Sequence, residues 1–256
     1  MGKVYAIISG KGGVGKTTTA INLGTSFNHL GEEVIIVDGN LTTPNVGIHL
    51  GAPVVPITIN HVLKNKAKLE DAIYEHESGT KVMPASLSLR EIEKINYKKL
   101  PEVINKLKKI TNYVLIDSAA GLGEEARSTI DAADEIIIVT NPEMSAVTDA
   151  LKTIKLSEEK NKIITGVIIT RYQGTRPEMS IANIKDMLEI PILGIIPEDL
   201  AVKESQVIKN AVIHTHPRSK AAKTYINTSR RILGEEIPFE PKLGIIGRFL
   251  KSIGLK

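Results

Sequence analysis

SGKGGVGKTT, Ser9–Thr18, decides how the rest of this sequence is read. It follows a short apolar run, Val4–Ser9, and opens an amphipathic stretch, Thr17–Leu30. Gly10, four residues, then Gly15, Lys16 and Thr17 is the spacing of a phosphate-cradling loop, set between a strand and a helix as such a loop requires. Gly12, Gly13 and Gly15 let backbone N–H groups, including those of Val14 and Thr18, converge on phosphate oxygens, and the helix N-terminus adds favourable partial charge. Lys16 can reach the outer phosphates of a nucleoside triphosphate, and the Thr17 hydroxyl can bind Mg²⁺. The bland alternative is a glycine-rich turn that matches by chance, and the strand–loop–helix setting argues against it.

Working outward, short apolar runs alternate with amphipathic stretches. Strands are expected at Val4–Ser9, Glu33–Val37, Lys81–Pro84, Tyr113–Asp117, Glu135–Thr140, Ile163–Thr170, Ile192–Ile196 and Ala211–His214. Most are continuously apolar, as strands buried on both faces are. Helices are expected at Thr17–Leu30, Ile59–Lys64, Leu100–Ile110, Glu124–Ala132, Ser145–Glu159, Ser180–Leu188 and Ser219–Leu233. This alternation predicts an α/β fold: a single domain over 1–234 with a doubly wound, mostly parallel sheet.

The 256 residues are 42% hydrophobic and 24% charged, an ordinary globular balance with core enough for such a domain. A net charge of +4 is too small to argue for nucleic acid, and 4% aromatics without Trp leave little for base stacking. With no cysteine, disulfides, thiolate metal sites and cysteine-held clusters are excluded. The apolar N-terminal run lacks a cationic flank and a cleavage site, so it reads as a strand rather than a signal peptide, and a cytoplasmic protein is expected.

Lys11 makes the loop more specific. KGGVGKTT, with its second lysine, resembles the deviant Walker A loop of the MinD/ParA ATPases, a SIMIBI-like group of P-loop NTPases, and nearly the whole chain fits that resemblance. IIVDGNLTTPNVGIHLG resembles the family's switch I and YVLIDSAAGLGEEA its switch II, while IIIVTNPEMSAVTDALKT and IPED resemble later family segments. The nearest branch is MinD with its archaeal relatives. The resemblance implies ATP/ADP as nucleotide, Mg²⁺ as cofactor, and an ATP-bound homodimer in which Lys11 reaches the partner's phosphates like an arginine finger. Asp117, at the end of YVLID, reads as the Mg²⁺ carboxylate through water, and Asp38 as a second metal-site carboxylate at a strand end.

Asn40 departs from the pattern. The family usually places an aspartate there to orient the attacking water. An amide can accept a hydrogen bond but cannot take a proton, so slow hydrolysis and a long-lived ATP dimer are expected. Asn45 matches the switch I asparagine. Thr170 and Arg171 stand where an adenine-reading asparagine is common, and Pro197, Glu198 and Asp199 are expected to rim the base. His214 and His216 are expected near a strand end with no metal role, and Lys106–Lys109 as a solvated helix face.

GIIGRFLKSIGLK, Gly244–Lys256, follows a proline-containing stretch read as a linker over 235–242. On a helix, Ile245, Ile246, Phe249, Leu250 and Ile253 fall within an arc of roughly 140°. Residues 243–256 are therefore expected to form a C-terminal amphipathic helix that lies in an anionic membrane surface, reversibly, at the inner face of the cell membrane, as the family's tails do. Docking onto the chain's own domain or a partner groove is the alternative. Two rival functions remain: a DNA-partitioning ATPase of the ParA type, against which the modest charge argues, and a nucleotide-dependent scaffold. A regulatory or cargo protein is expected but not specified by the sequence.

Overall fold

The computed structural model describes residues 2–93, 95–175 and 177–239. Its sheet has eight strands: β1 (Lys3–Ile8), β2 (Val34–Gly39), β3 (Tyr74–Glu75), β4 (Lys81–Met83), β5 (Tyr113–Ser118), β6 (Glu135–Thr140), β7 (Ile163–Tyr172) and β8 (Ile192–Pro197). Their order across the sheet is β3-β4-β2-β5-β1-β6-β7-β8. Neighbours run parallel except β3 and β4.

Side chains alternate between two cores, as the two-residue period of a strand requires. Val4, Ala6 and Ile8 face one core, closed by the helices Leu100–Leu107, Glu124–Ala132, Met144–Glu159 and Ile181–Leu188. Tyr5 and Ile7 face the other, closed by the helices Lys16–His29 and Lys220–Ile232. The chain leaving β1 crosses to β2 on one side, and the chain leaving β5 crosses to β6 on the other. The crevice opened at that reversal lies beyond the C-terminal end of β1, where open α/β sheets place their ligands.

Seven of the expected strands are present within two residues of their sequence limits. Ala211–His214 is not a strand: Val212–Thr215 is a short helix, with Val212 fully buried. A four-residue apolar run has no resolvable period, and packing decides its form. His214 and His216 therefore lie at a helix end, where His216 Nε2 sits 3.2 Å from Glu204. The helix Leu200–Ile208 was not expected, although Asp199 caps it by accepting from the Ala201 amide at 3.0 Å.

Residues 235–239 of the expected linker lie against the domain. Arg231 donates to the carbonyls of Ile237 (2.7 Å), Pro238 (3.2 Å) and Leu193 (2.9 Å), and its guanidinium covers the Phe239 ring at 4.0 Å. The amphipathic tail, 243–256, with Ile245, Ile246, Phe249, Leu250 and Ile253, falls outside the described residues. Among the described residues no helix is long and apolar enough to cross a membrane.

Candidate functional site

The loop after β1 runs over the sheet edge and turns into the helix Lys16–His29 through two left-handed glycines, Gly13 (φ 77°) and Gly15 (φ 89°). Side chains are strained in that region, and it turns successive N–H groups inward. Gly10 serves packing: a Cβ there would lie 2.4 Å from the Asp149 carbonyl on the helix Met144–Glu159. Thr170, buried at the end of β7, supports the loop from below. Its hydroxyl sits 2.6 Å from the Val14 carbonyl and 3.1 Å from that of Thr140, within donating distance of both.

Lys16 is only 9% exposed, yet among the described residues its ammonium has neither a hydrogen-bond nor an ion-pair partner. A buried cation is expected to be paired. A phosphate group meets that need, and the N-terminus of the Lys16–His29 helix points the same way. Thr17 Oγ1 donates to Asp117 Oδ2 at 2.6 Å, while Asp117 Oδ1 is buried with no partner. Burial pushes Asp117 above the usual carboxylate range, and the Lys16 ammonium and Thr17 hydroxyl pull it back. This hydroxyl–carboxylate pair with one orphaned oxygen fits Mg²⁺, which would be held by Thr17 and, directly or through water, by Asp117. Bound there, the ion would neutralise phosphate charge.

Asp38 lies beside Asp117 in the β2–β5 register. Its Oδ1 accepts from the Asn40 amide at 3.1 Å, and Oδ2 from those of Asn45 at 2.9 Å and Val46 at 3.0 Å. Asp38, expected as a metal-site carboxylate, has both oxygens accepting from backbone amides of switch I. Asn40 is engaged too: Nδ2 donates to the Thr43 carbonyl at 2.6 Å, and Oδ1 accepts from the Thr43 hydroxyl at 2.9 Å and amide at 3.3 Å. Asn45 Nδ2 donates to that same carbonyl at 2.9 Å.

Lys11 turns away from its own phosphate loop. Its Nζ lies 2.8 Å from Glu143 and 3.0 Å from the Ser145 hydroxyl, and this contact holds the Glu143 carboxyl below its usual range. Arg171, in a left-handed conformation (φ 54°), stands between the phosphate cleft and a second pocket rimmed by Pro197, Glu198 and Asp199. Asp199 caps two helices at once, its second oxygen accepting from the Ala221 amide at 3.1 Å, and Glu198 pairs with Lys203 at 2.7 Å. The rim's carboxylates are thus held by the protein, and Arg171 and Pro197 line the same pocket. Gln206 donates to the Thr18 hydroxyl at 2.9 Å and joins the two pockets.

Sequence reading did not single out Glu125, which lines the phosphate cleft and holds Thr42. An acid in the first turn of a helix reads as a match to the helix dipole, and nothing in the sequence marks its reach across to switch I. Nor did it foresee Thr170 as a support or Glu143 as the seat of Lys11.

A β1 loop with two left-handed glycines, a buried lysine without an ion-pair partner among the described residues and a Thr17–Asp117 pair suited to a metal ion defines a P-loop nucleotide-binding protein. Two family descriptions match the chain: AAA domain over residues 2–165, and the NifH/frxC family of iron–sulfur cluster binding proteins over residues 92–249. The latter shares the fold, but a chain without cysteine cannot hold that cluster through thiolates. The chain is 33% identical to an ATP-binding protein of Methanocaldococcus jannaschii over 256 residues, spanning 99% of this chain and 97% of that one. It is 31% identical to the septum site-determining protein MinD of Bacillus subtilis across the full length of both. MinD of Pyrococcus horikoshii, solved with Mg-ADP, superposes with a TM-score of 0.88 at 35% identity, over 93% of this chain and all of that one. The chain belongs to the MinD/ParA family of P-loop ATPases.

Proposed function

We propose that this protein is a MinD-like ATPase that binds ATP with Mg²⁺ and forms a nucleotide-sandwich homodimer through Lys11. In that dimer its C-terminal segment attaches it to the inner face of the cell membrane, and hydrolysis releases it to the cytoplasm. Its role is spatial positioning, such as division-site placement. The observation that carries the nucleotide reading is Lys16, only 9% exposed and with no partner for its ammonium among the described residues, beside the Thr17–Asp117 pair. The outward turn of Lys11 to Glu143 supports a role beyond its own subunit, because that exposed ion pair is weak enough to be exchanged for a partner's phosphate. The engaged amide of Asn40 supports slow turnover, since it is held by Thr43 and cannot take a proton.

Amphipathic tails of this length bind weakly one at a time, and a dimer presents two, so ATP-driven dimerisation would control attachment through avidity. The test is co-sedimentation with anionic vesicles, in ATP and in ADP, of the full chain and of one ending at Pro241. ATP-dependent pelleting that truncation abolishes supports the reading. Equal pelleting of both chains, or indifference to nucleotide, refutes the attachment cycle. Steep salt-dependent DNA binding by the ATP form would instead mark a DNA-partitioning member.

A further inference from the structure

Switch I is folded from within by Asp38 and Asn40; from outside, Asn60 Nδ2 donates to the Leu41 carbonyl at 3.3 Å and one acid takes hold of residue 42. Glu125, in the first turn of the helix Glu124–Ala132, reaches back to residue 42. Its Oε1 accepts from the Thr42 amide at 3.0 Å and its Oε2 from the Thr42 hydroxyl at 2.9 Å. The carboxylate is half-buried, so water competes less for these two bonds than at an open surface. Burial raises its pKa, and the Thr42 bonds, with the neighbouring Leu41 backbone amide, oppose that rise, as they do when they favour the charged form. Among the described residues, the side-chain hydrogen bonds joining residues 40–46 to the switch II segment all end on Glu125. Thr42, Thr43, Asn40 and Glu125 line the same phosphate cleft.

We propose that Glu125 is a positioning residue that clasps switch I to switch II through Thr42, so that the phosphate-facing turn and the Glu124–Ala132 helix move as one unit. This rests on the ATPase reading above and deepens it. Asn40 brings no charge to the turn. The anion that fixes where Thr42 presents its polar groups to a nucleotide is supplied from switch II, while Thr43 is held by Asn40. Glu125 acts through Thr42 and exchanges no proton with substrate.

The test compares Glu125→Ala, Glu125→Gln, Thr42→Val and the Ala/Val double variant, in the full chain with ATP and Mg²⁺. Glu125→Ala slows single-turnover hydrolysis about tenfold or more, with nucleotide Kd changed less than about threefold, because the clasp orders the turn and not the phosphate loop. Glu125→Gln recovers most of the rate: its oxygen still accepts from the Thr42 amide, and its NH₂ donates to the Thr42 hydroxyl. Thr42→Val slows the reaction less than Glu125→Ala does, and adds nothing in the Glu125→Ala background, since both act through one contact.

A Gln variant as slow as Ala would overturn the proposal, because a proton-accepting role would then be indicated. So would additive effects, or an unchanged rate in Glu125→Ala. Amide hydrogen exchange gives a readout that does not depend on turnover. Glu125→Ala exposes the Thr42 amide to faster exchange, while the Asn45 and Val46 amides, held by Asp38, keep their protection. If the wild-type chain does not hydrolyse ATP, the ATPase reading fails and this exchange comparison alone decides. An unchanged Thr42 amide overturns the clasp.

Discussion

Asn40→Asp would supply the carboxylate that the family usually carries, and the structure predicts that this chain tolerates it poorly. The Asn40 side chain is 8% exposed, and its Nδ2 points at the Thr43 carbonyl from 2.6 Å. Since a carbonyl can only accept, the atom facing it must be a donor. A carboxylate oxygen there would meet another oxygen at the same separation, close to the buried Asp38. The turn must then open or the acid must take up a proton. Losing the bond costs about 1 kcal/mol, and burying a charged oxygen against an acceptor raises the total to about 2–4 kcal/mol. For a domain of this size each kcal/mol moves Tm by about 2–4 °C, so a fall of about 4–16 °C is expected near neutral pH.

The effect has a definite pH sign. The introduced carboxyl is held above its unfolded value, so it can donate to Thr43 when protonated. The variant's deficit is small below pH ~4 and grows as pH rises through the folded pKa. The assay is thermal unfolding of variant and wild type at matched pH, without nucleotide, so that other titrating groups cancel. A Tm within about 1 °C of wild type at neutral pH, or a deficit that does not shrink in acid, would refute the argument. Single-turnover hydrolysis by the same variant tests turnover: if it is no faster, residue 40 does not limit the rate.

Other outcomes can be checked in parallel. Lys16→Met should weaken fluorescent ATP-analogue binding by about a hundredfold or more, because it removes the buried cation that faces the phosphates. Thr170→Val leaves the Val14 carbonyl without its hydroxyl donor and should cost about 1–3 kcal/mol in denaturant unfolding. Gly10→Ala places a methyl carbon against the Asp149 carbonyl and should lower Tm sharply without touching any polar group of the cleft. Burial and the neighbouring Asp117 push Asp38 up to about 8 in the metal-free protein. Its stabilising contribution is therefore fully present below its unfolded pKa and is lost as pH rises through the folded one. Metal-free Tm should fall as pH rises from about 4 to about 8 and level off above that, and Mg²⁺ with nucleotide should offset the fall.

The phosphate loop and the sheet were legible in the sequence because both depend on local order. The glycine spacing of Gly10–Thr18 can be read along the chain, and strands buried on both faces show as apolar runs. The same locality explains the misreading of Ala211–His214: four apolar residues carry no period, and burial against neighbouring helices decided for helix.

The sequence alone determined the family, the loop and which carboxylates end buried strands, since each is written as type and spacing within a few residues. Only the tertiary structure decided what those groups touch. Asp38 and Asn40 fold switch I, Lys11 rests on Glu143, 132 residues further along the chain, and Glu125 takes hold of Thr42 across 83 residues. A hydrogen bond is fixed by distance and direction between two atoms, and packing of the sheet and its helices sets these for partners so far apart in the chain.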